Sequence, residues 1–402
     1  MELEGGLATT LIKSEWTYGR GAAALRRNIV FGIPGTEMVA WGEILKPTEI
    51  TEVVDFILNA QNIPINAVRE VPSSIVTQKY QLQIEELSTE GLEDPWSIEF
   101  VDESNALISE KNGRLRWLKN GSLDPKPIKG LPTPFLQAST AGFMDLALDP
   151  DYQDNGWVYL AYSHTNGDND SKQALALTKV IRGKVEDYQW VDQQTLFEVP
   201  DSLMAVRGNR WGCRFLFDDE GFLFFTIGDM GMAMDSQDPK KATGKIFRIN
   251  PDGSIPSDNP FINTPNALPA VYTLGNRNTQ GLAQHPETKE IWFTDHGPMG
   301  GDEVNILKKG ANYGWPLATF GVDYDGAVVS DKSSAQGMQD PVTHWTPSIA
   351  ACAAEFSNSA LFSHWQNNLL IGALGFEELR RLTIENKQVI GQEVLLKGFG
   401  RV

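Results

Sequence analysis

One unit of sequence recurs along this chain and restricts the folds open to it. The unit is an apolar pair, an acidic or turn pair, a polar turn, and a short apolar strand that ends in Ser, Thr or Gly. Five copies follow at intervals of roughly 50 to 70 residues: IEFVDESNALISE, LALDPDYQDNGWVYLAYS, FLFDDEGFLFFTIGD, LAQHPETKEIWFTD and AEFSNSALFSHWQNNLLIGA. Short strands that alternate with polar turns at this period are typical of β-propeller blades. We therefore predict an all-β propeller over most of the chain.

The N-terminal part follows a helical pattern instead. Apolar residues over about 7–62 recur at helical spacing, and residues 53–58 are predicted to form the apolar stripe of one helix. Thr48 or Thr51 is the expected N-cap of that helix, and Glu49 lies where an acidic side chain favours a helix N-terminus. A short α-helical segment is thus expected before the propeller.

A linker is predicted between the two patterns. Residues 66–78 contain Pro72 followed by two serines and show no clear period. We place the domain boundary near Arg69. This gives a helical segment with the start of the linker over 1–68 and a propeller over 69–402.

The charge balance and the cysteine content exclude several classes of function. The formal net charge is −18 at pH 7, and a field of that sign repels nucleic-acid phosphates and anionic membranes. The two cysteines, Cys213 and Cys352, rule out a cysteine-rich metal site and leave a single disulfide between them open. No apolar run reaches the roughly 18 residues needed to cross a bilayer, and the start at Met1 shows no signal-peptide pattern. Neither nucleic-acid binding nor a membrane span is predicted.

The segment from Leu274 to Trp315 carries the densest set of reactive side chains among turn glycines. Arg277 supplies a planar cation suited to a carboxylate or a quinone oxygen, and Asn278 beside it both donates and accepts hydrogen bonds. The loop 296–303 combines glycine carbonyls with two carboxylates, and hard oxygen ligands of this kind suit Ca²⁺. We interpret the segment as the wall of a binding site. A polar hairpin loop with a solvated acidic pair is the alternative.

Several motifs, in this order along the chain, resemble one known family. GNRNTQGLA, HGPMGGDEVN, NYGWP and VDYDG are similar to motifs of the glucose/sorbosone dehydrogenases, soluble aldose dehydrogenases that use pyrroloquinoline quinone (PQQ) and calcium. The resemblance covers the chain from about Glu86 onward. It implies a six-bladed β-propeller whose sixth blade is expected just beyond Val402, so that the last blade within this sequence would be incomplete.

The resemblance also implies a set of cofactor residues. Arg277 and Asn278 match the pair that holds PQQ, and Tyr324 of VDYDG matches a further cofactor contact. Glu303 and, through its backbone carbonyl, Tyr313 match the calcium ligands. The chemistry agrees, because an anionic tricarboxylate needs a cation and Ca²⁺ needs oxygen ligands. The alternative roles are a structural ion pair for Arg277, a solvated acid for Glu303 and core packing for Tyr313.

The sequence departs from the family at the catalytic base. The family places a His four residues before an Arg, in a motif like His-x-Gly-x-Arg, whereas this chain has Arg210 four residues before Arg214. Arginine is no useful base because its pKa lies above about 12. Asp229 matches the acid that orients the missing His, so an Arg210–Asp229 ion pair is predicted. Thr140 stands in place of a cofactor-contacting Gln, and His296 is the candidate substitute base.

The helical segment has a resemblance of its own. GIPGTEMVAWGEILKPTEI is similar to the C-terminal half of a class I cytochrome c, in which Met38 would be the axial thioether ligand of haem iron. The sequence has no Cys-x-x-Cys-His motif, so we interpret the segment as a helical remnant in which Met38 packs as an ordinary apolar residue. The family resemblance further implies a cytochrome electron acceptor and a periplasmic or secreted location.

Three functions are open from the sequence. The first is a PQQ- and calcium-dependent oxidoreductase that oxidises an aldose sugar or related alcohol to a lactone or aldehyde and passes the electrons to a cytochrome. The second is a non-catalytic propeller that binds a saccharide or a protein partner, since Arg210 replaces the base. The third is metal-assisted hydrolysis, such as lactone opening, by Asp295, Asp302 and Glu303. The motifs favour the first.

Overall fold

A computed structural model describes most of the chain. It shows two N-terminal helices, α1 (Gly21–Phe31) and α2 (Pro47–Ala60), and then an almost entirely β region with one short helix, α3 (Tyr152–Asn155). The predicted boundary at Arg69 lies outside the described residues. The described residues are 18–19, 21–33, 38, 40–42, 44–60, 71–87, 90–138, 140–171, 173–206, 208–324 and 326–398.

The β region begins with a hairpin and continues as five antiparallel sheets that form propeller blades. The hairpin consists of β1 (Ser74–Val76) and β2 (Gln81–Gln83). Blade 1 comprises β3 (Pro95–Phe100), β4 (Asn105–Glu110), β5 (Arg114–Lys119) and β6 (Ser122–Leu123). Blade 2 comprises β7 (Phe143–Leu148), β8 (Trp157–His164), β9 (Leu175–Glu186), β10 (Gln189–Phe197) and β11 (Ala205–Val206).

The remaining blades follow in the same order. Blade 3 comprises β12 (Phe215–Phe217), β13 (Leu223–Ile227) and β14 (Lys245–Ile249). Blade 4 comprises β15 (Thr279–Gln284), β16 (Ile291–Asp295), β17 (Asp302–Ile306) and β18 (Thr343–Trp345). Blade 5 comprises β19 (Ala351–Ser357), β20 (Asn368–Ala373), β21 (Glu378–Glu385) and β22 (Gln388–Lys397).

Each repeat unit of the sequence supplies the first two strands of one blade, which confirms the prediction of an all-β propeller. The described residues form five blades, one for each unit, and not six. A blade needs an apolar unit of its own to pack against its neighbours, and the sequence contains five. The hairpin β1–β2 lies against blade 5, where the rings of Tyr80 and Trp365 meet edge to face at 5.2 Å.

The first strands of neighbouring blades are linked by polar contacts. The carboxylate of Asp145 on β7 accepts the backbone N–H of Phe215 at 2.7 Å and pairs with the guanidinium of Arg214 at 3.1 Å. The Nε of Arg214 in turn donates to the carbonyl of Gln280 on β15 at 2.7 Å. One acid and one arginine thus join blades 2, 3 and 4. Cys213 and Cys352 are both buried and form no disulfide.

A half-buried acid on the first strand of blade 1, Glu99, gives the propeller a pH-dependent stability. Burial, and then the charges of Asp145 and Glu355, raise the pKa of Glu99 from its ordinary value near 4.5 to about 8. Between these two values the folded chain keeps a proton that the unfolded chain has released. The contribution of Glu99 to stability therefore falls as the pH rises from about 4.5 to about 8.

Replacing Glu99 by glutamine should remove this dependence. We expect Glu99→Gln to match the wild type near pH 4.5 and to exceed its free energy of unfolding by on the order of 2 kcal/mol near pH 8.5. Urea unfolding at both pH values measures the difference. Glu103→Gln, an exposed acid of the same blade, is the control and should change neither value. Equal gains for Glu99→Gln at both pH values would contradict the assignment.

The two helices pack through an apolar core whose composition differs in part from the prediction. The buried side chains of α2 are Ile50, Val54 and Ile57, at the i, i+4 and i+7 spacing of one helix face. Val53 and Phe56, predicted as part of the stripe, are exposed, since Val53 lies at the edge of the buried face and Phe56 lies away from it.

The beginning of α2 also differs from the prediction. The helix begins at Pro47, where the carboxylate of Glu49 accepts the backbone N–H of Lys46 at 2.7 Å. Neither Thr48 nor Thr51 is therefore the cap, because both lie inside the helix, where Pro at the first position and Glu at the third satisfy the terminus. Met38 packs against the helix core as an ordinary apolar side chain, as interpreted from the sequence.

The helical segment is docked on the propeller by one buried arginine. Arg27 of α1 donates from Nη1 to the carbonyl of Ser348 at 2.6 Å and from Nη2 to the carbonyl of Tyr18 at 2.7 Å. Its guanidinium lies 4.8 Å from the ring centre of Phe376 in blade 5. Burial lowers the pKa of Arg27 to about 10, and the charge of Asp302 opposes that shift. Nothing in the sequence pattern indicated this contact.

Removing the Arg27 side chain should loosen α1 from the propeller. Charged hydrogen bonds of this kind contribute about 2 kcal/mol, so Arg27→Ala should lower the hydrogen-exchange protection of the α1 amides by roughly 10-fold or more. Arg26→Ala is the matched control, because Arg26 is only half-buried and, within the described residues, its side chain bonds Pro47 and Thr51 of α2 and not the propeller. Unchanged α1 protection in Arg27→Ala would contradict the role of this contact.

Candidate active site

The loops of blade 4 bring the predicted cofactor residues together. Arg277 and Asn278 directly precede β15, and Asp295 ends the neighbouring strand β16. The backbone N–H groups of Arg277 and Asn278 both donate to the carboxylate of Asp295, at 3.0 and 2.6 Å. Burial raises the pKa of Asp295 to about 7, and these two amides oppose that shift. The carboxylate of Asp295 thus fixes the backbone of Arg277 and Asn278.

The side chain of Arg277 is buried and only partly satisfied by protein groups. Its Nη1 donates to the carbonyls of Gly297 at 2.7 Å and His296 at 3.1 Å. Its guanidinium carbon lies 5.2 Å from the ring centre of Trp315 and 5.9 Å from that of Tyr324. Within the described residues, its buried Nε has no hydrogen-bond partner. A buried donor of this kind is costly unless an acceptor meets it, so the geometry suits a ligand oxygen.

The predicted calcium residues lie in the same narrow cavity as Arg277. Glu303 and Tyr313 line it together with Arg277 and Trp315. Burial, and to a lesser degree the charges of Asp295 and Asp302, raise the pKa of Glu303 to about 8. A divalent cation would compensate these carboxylates. The hydroxyl of Tyr313 is already engaged, since it donates to the carbonyl of Ile306 at 2.7 Å. This leaves the backbone carbonyl as the atom of Tyr313 suited to a cation.

Asp302 fixes the loop that carries these carbonyls. It is fully buried and accepts the N–H of Gly297 at 2.9 Å and the hydroxyl of Ser348 at 2.8 Å. Burial raises the pKa of Asp302 to about 6, and these hydrogen bonds oppose that shift. The loop is tight, because a Cβ on Gly297 would lie 2.1 Å from the carbonyl oxygen of Gly300. Asp302 therefore positions the Gly297 carbonyl that holds Arg277.

The predicted Arg210–Asp229 ion pair is present. The Nε of Arg210 donates to Oδ1 of Asp229 at 2.6 Å, and the indole N–H of Trp315 donates to Oδ2 at 2.8 Å. Asp229 is fully buried, whereas Arg210 lines an open cavity of about 390 Å³. Trp315 thus contacts both Asp229 and Arg277, which places the open cavity beside the narrow one.

Two further residues, Thr140 and His296, were predicted to act at the same site. The hydroxyl of Thr140, in the loop before β7, is buried and lacks a hydrogen-bond partner within the described residues. His296 lines the narrow cavity next to Arg277. The cofactor contact of Thr140 and the base role of His296 stay predictions.

Three residues that organise the site were not given these roles by the sequence. Trp315 lies in the NYGWP motif, but the motif alone does not show that its indole bridges Asp229 and Arg277. Asp295 was assigned to the hydrolytic alternative, and Asp302 to that alternative and to the carboxylates of the calcium loop, whereas both accept backbone N–H groups. Their positions at the end of one strand and at the start of the next were the available signal.

Known proteins resemble this chain over most of its length. The sequence pattern of the glucose/sorbosone dehydrogenases matches residues 92–402, which is most of the chain and includes every site residue above. The chain belongs to the glucose/sorbosone dehydrogenase family.

Two individual relatives align with most of this chain. It is 34% identical over 321 residues to the aldose sugar dehydrogenase YliI of Escherichia coli, covering 79% of this chain and 84% of YliI. The crystal structure of a glucose dehydrogenase superposes with a TM-score of 0.72 at 34% identity, over 77% of this chain and 89% of that chain. A shorter match, 30% identical over 217 residues, is to the quinoprotein glucose dehydrogenase B of Acinetobacter calcoaceticus, covering 48% of this chain and 44% of that protein.

The family member shows no membrane-crossing helix in its described part. Neither α1 nor α2, nor the shorter helices, combine the length and apolar character that a bilayer span requires.

Proposed function

We propose that this protein is a PQQ- and calcium-dependent oxidoreductase that oxidises an aldose sugar or a related alcohol to a lactone or aldehyde. The observation that carries the proposal is the buried Nε of Arg277, which lacks a protein acceptor within the described residues, in a guanidinium that lies near the rings of Trp315 and Tyr324. Two relatives support it by name, since one is an aldose sugar dehydrogenase and the other a quinoprotein glucose dehydrogenase.

The residues present fit both groups. Arg277 and Asn278 would hold PQQ, with Tyr324 and Thr140 as further contacts, and PQQ when bound supplies an acceptor for a hydride from the substrate. The cation of Arg277 and its free edge suit an anionic quinone. For calcium, Glu303 and the carbonyl of Tyr313 offer hard oxygen atoms in a cavity whose buried carboxyls favour a cation.

The chain's own acid–base chemistry is altered at one position. Arg210 cannot remove the proton of a substrate hydroxyl, because its guanidinium stays protonated and is paired with Asp229. We assign Arg210 and Asp229 an orienting role at the reacting end of the site. His296, in the wall next to Arg277, is the proposed base, because a neutral imidazole suits proton removal near neutral pH.

The remaining parts of the function are proposed by resemblance. A cytochrome is the proposed electron acceptor, and a periplasmic or secreted location is the proposed compartment. A non-catalytic propeller that binds a saccharide or a protein is not favoured, since the full-length relatives with assigned names are dehydrogenases.

Calorimetric titration of the full chain with PQQ in the presence of Ca²⁺, followed by an aldose and a redox dye, tests the proposal. We expect stoichiometric PQQ binding that weakens when Ca²⁺ is chelated, and then sugar-dependent dye reduction. Binding without dye reduction would reject the oxidoreductase. Absence of PQQ binding in calcium would reject the cofactor assignment itself.

A further inference from the structure

The guanidinium of Arg210 is paired with Asp229 on one side and faces an open cavity on the other. Its Nε is bound to Asp229, which also accepts the backbone N–H of Gly231 at 3.0 Å and the indole N–H of Trp315. Within the described part of the chain, the guanidinium makes no second hydrogen bond to protein, and 23% of the side chain is exposed. Pairing through Nε fixes the plane of a guanidinium and leaves its two terminal nitrogens for another acceptor.

The backbone around Arg210 is built for this orientation. Arg210 has a φ of +68°, a left-handed conformation that non-glycine residues rarely adopt. A Cβ on Gly228 would lie 2.0 Å from the carbonyl oxygen of Arg210, and a Cβ on Gly208 would lie 2.4 Å from that of Met230. The two segments therefore approach each other more closely than side chains would allow. Unfavourable backbone conformations held in this way are typical of functional positions.

The cavity in front of Arg210 has the size and polarity of a small-molecule site. Its volume is about 390 Å³, inside the roughly 300–1,000 Å³ range of ligand pockets. Arg210 is the charged residue among its described lining residues, and Gln137 and Asn209 add polar groups. The cavity lies next to the proposed cofactor site, since Trp315 contacts both Asp229 and Arg277.

We infer that this cavity binds a substrate carboxylate, so that the enzyme accepts acidic sugars in preference to neutral ones and Arg210 determines that specificity. The inference rests on the proposed sugar oxidation for the reaction itself. The two terminal nitrogens of a guanidinium match the two oxygens of a carboxylate. Asp229 neutralises the net charge of Arg210, so the preference comes from the fixed geometry of the paired hydrogen bonds.

The carboxylate that meets Arg210 has two possible sources, because PQQ is itself a tricarboxylate. The structure favours the substrate, since Arg277 already offers a buried, partly unsatisfied guanidinium to the cofactor in the neighbouring narrow cavity. Measuring cofactor and sugar binding separately on the same variants distinguishes the two sources.

The test compares D-glucuronate with D-glucose, which share one ring and differ at C6 by a carboxylate against a hydroxymethyl group. Dissociation constants are measured by calorimetry on the full chain, with and without PQQ and Ca²⁺. We expect glucuronate to bind about 10- to 100-fold more tightly than glucose. In the paired variant R210Q/D229N, which leaves no unpaired buried charge, the two sugars should bind within about 3-fold of each other. R210K should give an intermediate preference, because lysine keeps the charge and loses the planar fork.

The control is K289M, which removes an exposed cation whose ion pair with Asp219 lies on the surface. It should keep the wild-type preference. Equal affinity of the wild type for the two sugars would overturn the inference, as would an unchanged preference in R210Q/D229N. Weaker PQQ binding in R210Q/D229N with an unchanged sugar preference would assign Arg210 to the cofactor instead. A glucuronate preference without any PQQ binding would support this inference and reject the proposed function.

Discussion

Replacing Arg277 by alanine is expected to weaken PQQ binding by roughly 100-fold or more, on the order of 3 kcal/mol. Arg277 is the buried cation between Trp315 and Tyr324, and its Nε has no protein acceptor within the described residues. An anionic ligand would accept a hydrogen bond from this Nε. In the alanine variant the ligand would meet neither the positive charge nor the hydrogen-bond donors of Arg277. Titration of PQQ into Arg277→Ala in the presence of Ca²⁺ measures the loss.

Two further variants separate this effect from a general loss of charge. Arg277→Lys keeps the charge but not the planar donors, so PQQ affinity should recover only in part. Arg182→Ala removes an arginine that lies over Trp157 and bonds Pro251 in another part of the propeller, and it should leave PQQ affinity unchanged. Wild-type PQQ affinity in Arg277→Ala would remove this residue from the site.

Replacing Asp302 by alanine is expected to lower the free energy of unfolding by about 3 kcal/mol. The carboxylate accepts the backbone N–H groups of Gly297 and Ala351 and the hydroxyl of Ser348. These donors are enclosed, so the variant leaves them without partners. PQQ affinity should fall as well, because the carbonyl of Gly297 holds Arg277.

Urea unfolding of two control variants shows whether the effect is specific. Asp302→Asn keeps the size of the side chain and one acceptor oxygen, so it should lose less stability than the alanine variant. Asp219→Ala removes an exposed acid and should change stability by less than about 0.5 kcal/mol. A free energy of unfolding for Asp302→Ala equal to that of the wild type would show that the loop is fixed by other groups.

The strand pattern of the propeller was predictable because it is local. Each repeat unit places apolar side chains at strand spacing and ends at a polar turn, and each became the first two strands of a blade. The Arg210–Asp229 pair was also predictable, since by resemblance Asp229 matches the acid that orients the His replaced by Arg210, and the charges of the two residues are opposite. The five blades of the described residues match the five units counted in the sequence, whereas the count of six came from the resemblance.

Contacts between distant segments were not predictable in the same way. Arg27 lies 321 residues before Ser348 and meets its carbonyl only after the helices and blade 5 have folded. The apolar stripe of α2 was misplaced for a related reason, since the face that is buried depends on where α1 lies. The spacing of apolar residues predicts whether a segment forms a helix or a strand. It does not predict which other segment each face of that helix or strand will contact.

The sequence by itself determined the class of fold, the order of the blades and the segment that forms the site wall, because these follow from local periodicity, turn residues and motif spacing. Only the tertiary structure decided that Trp315 joins the Asp229 pair to Arg277, that Asp295 and Asp302 hold the backbone at Arg277 and Gly297, and that the helical segment docks through a buried arginine. The physical reason is that buried polar groups are paired across blades, and their partners are set by how the sheets pack around the axis.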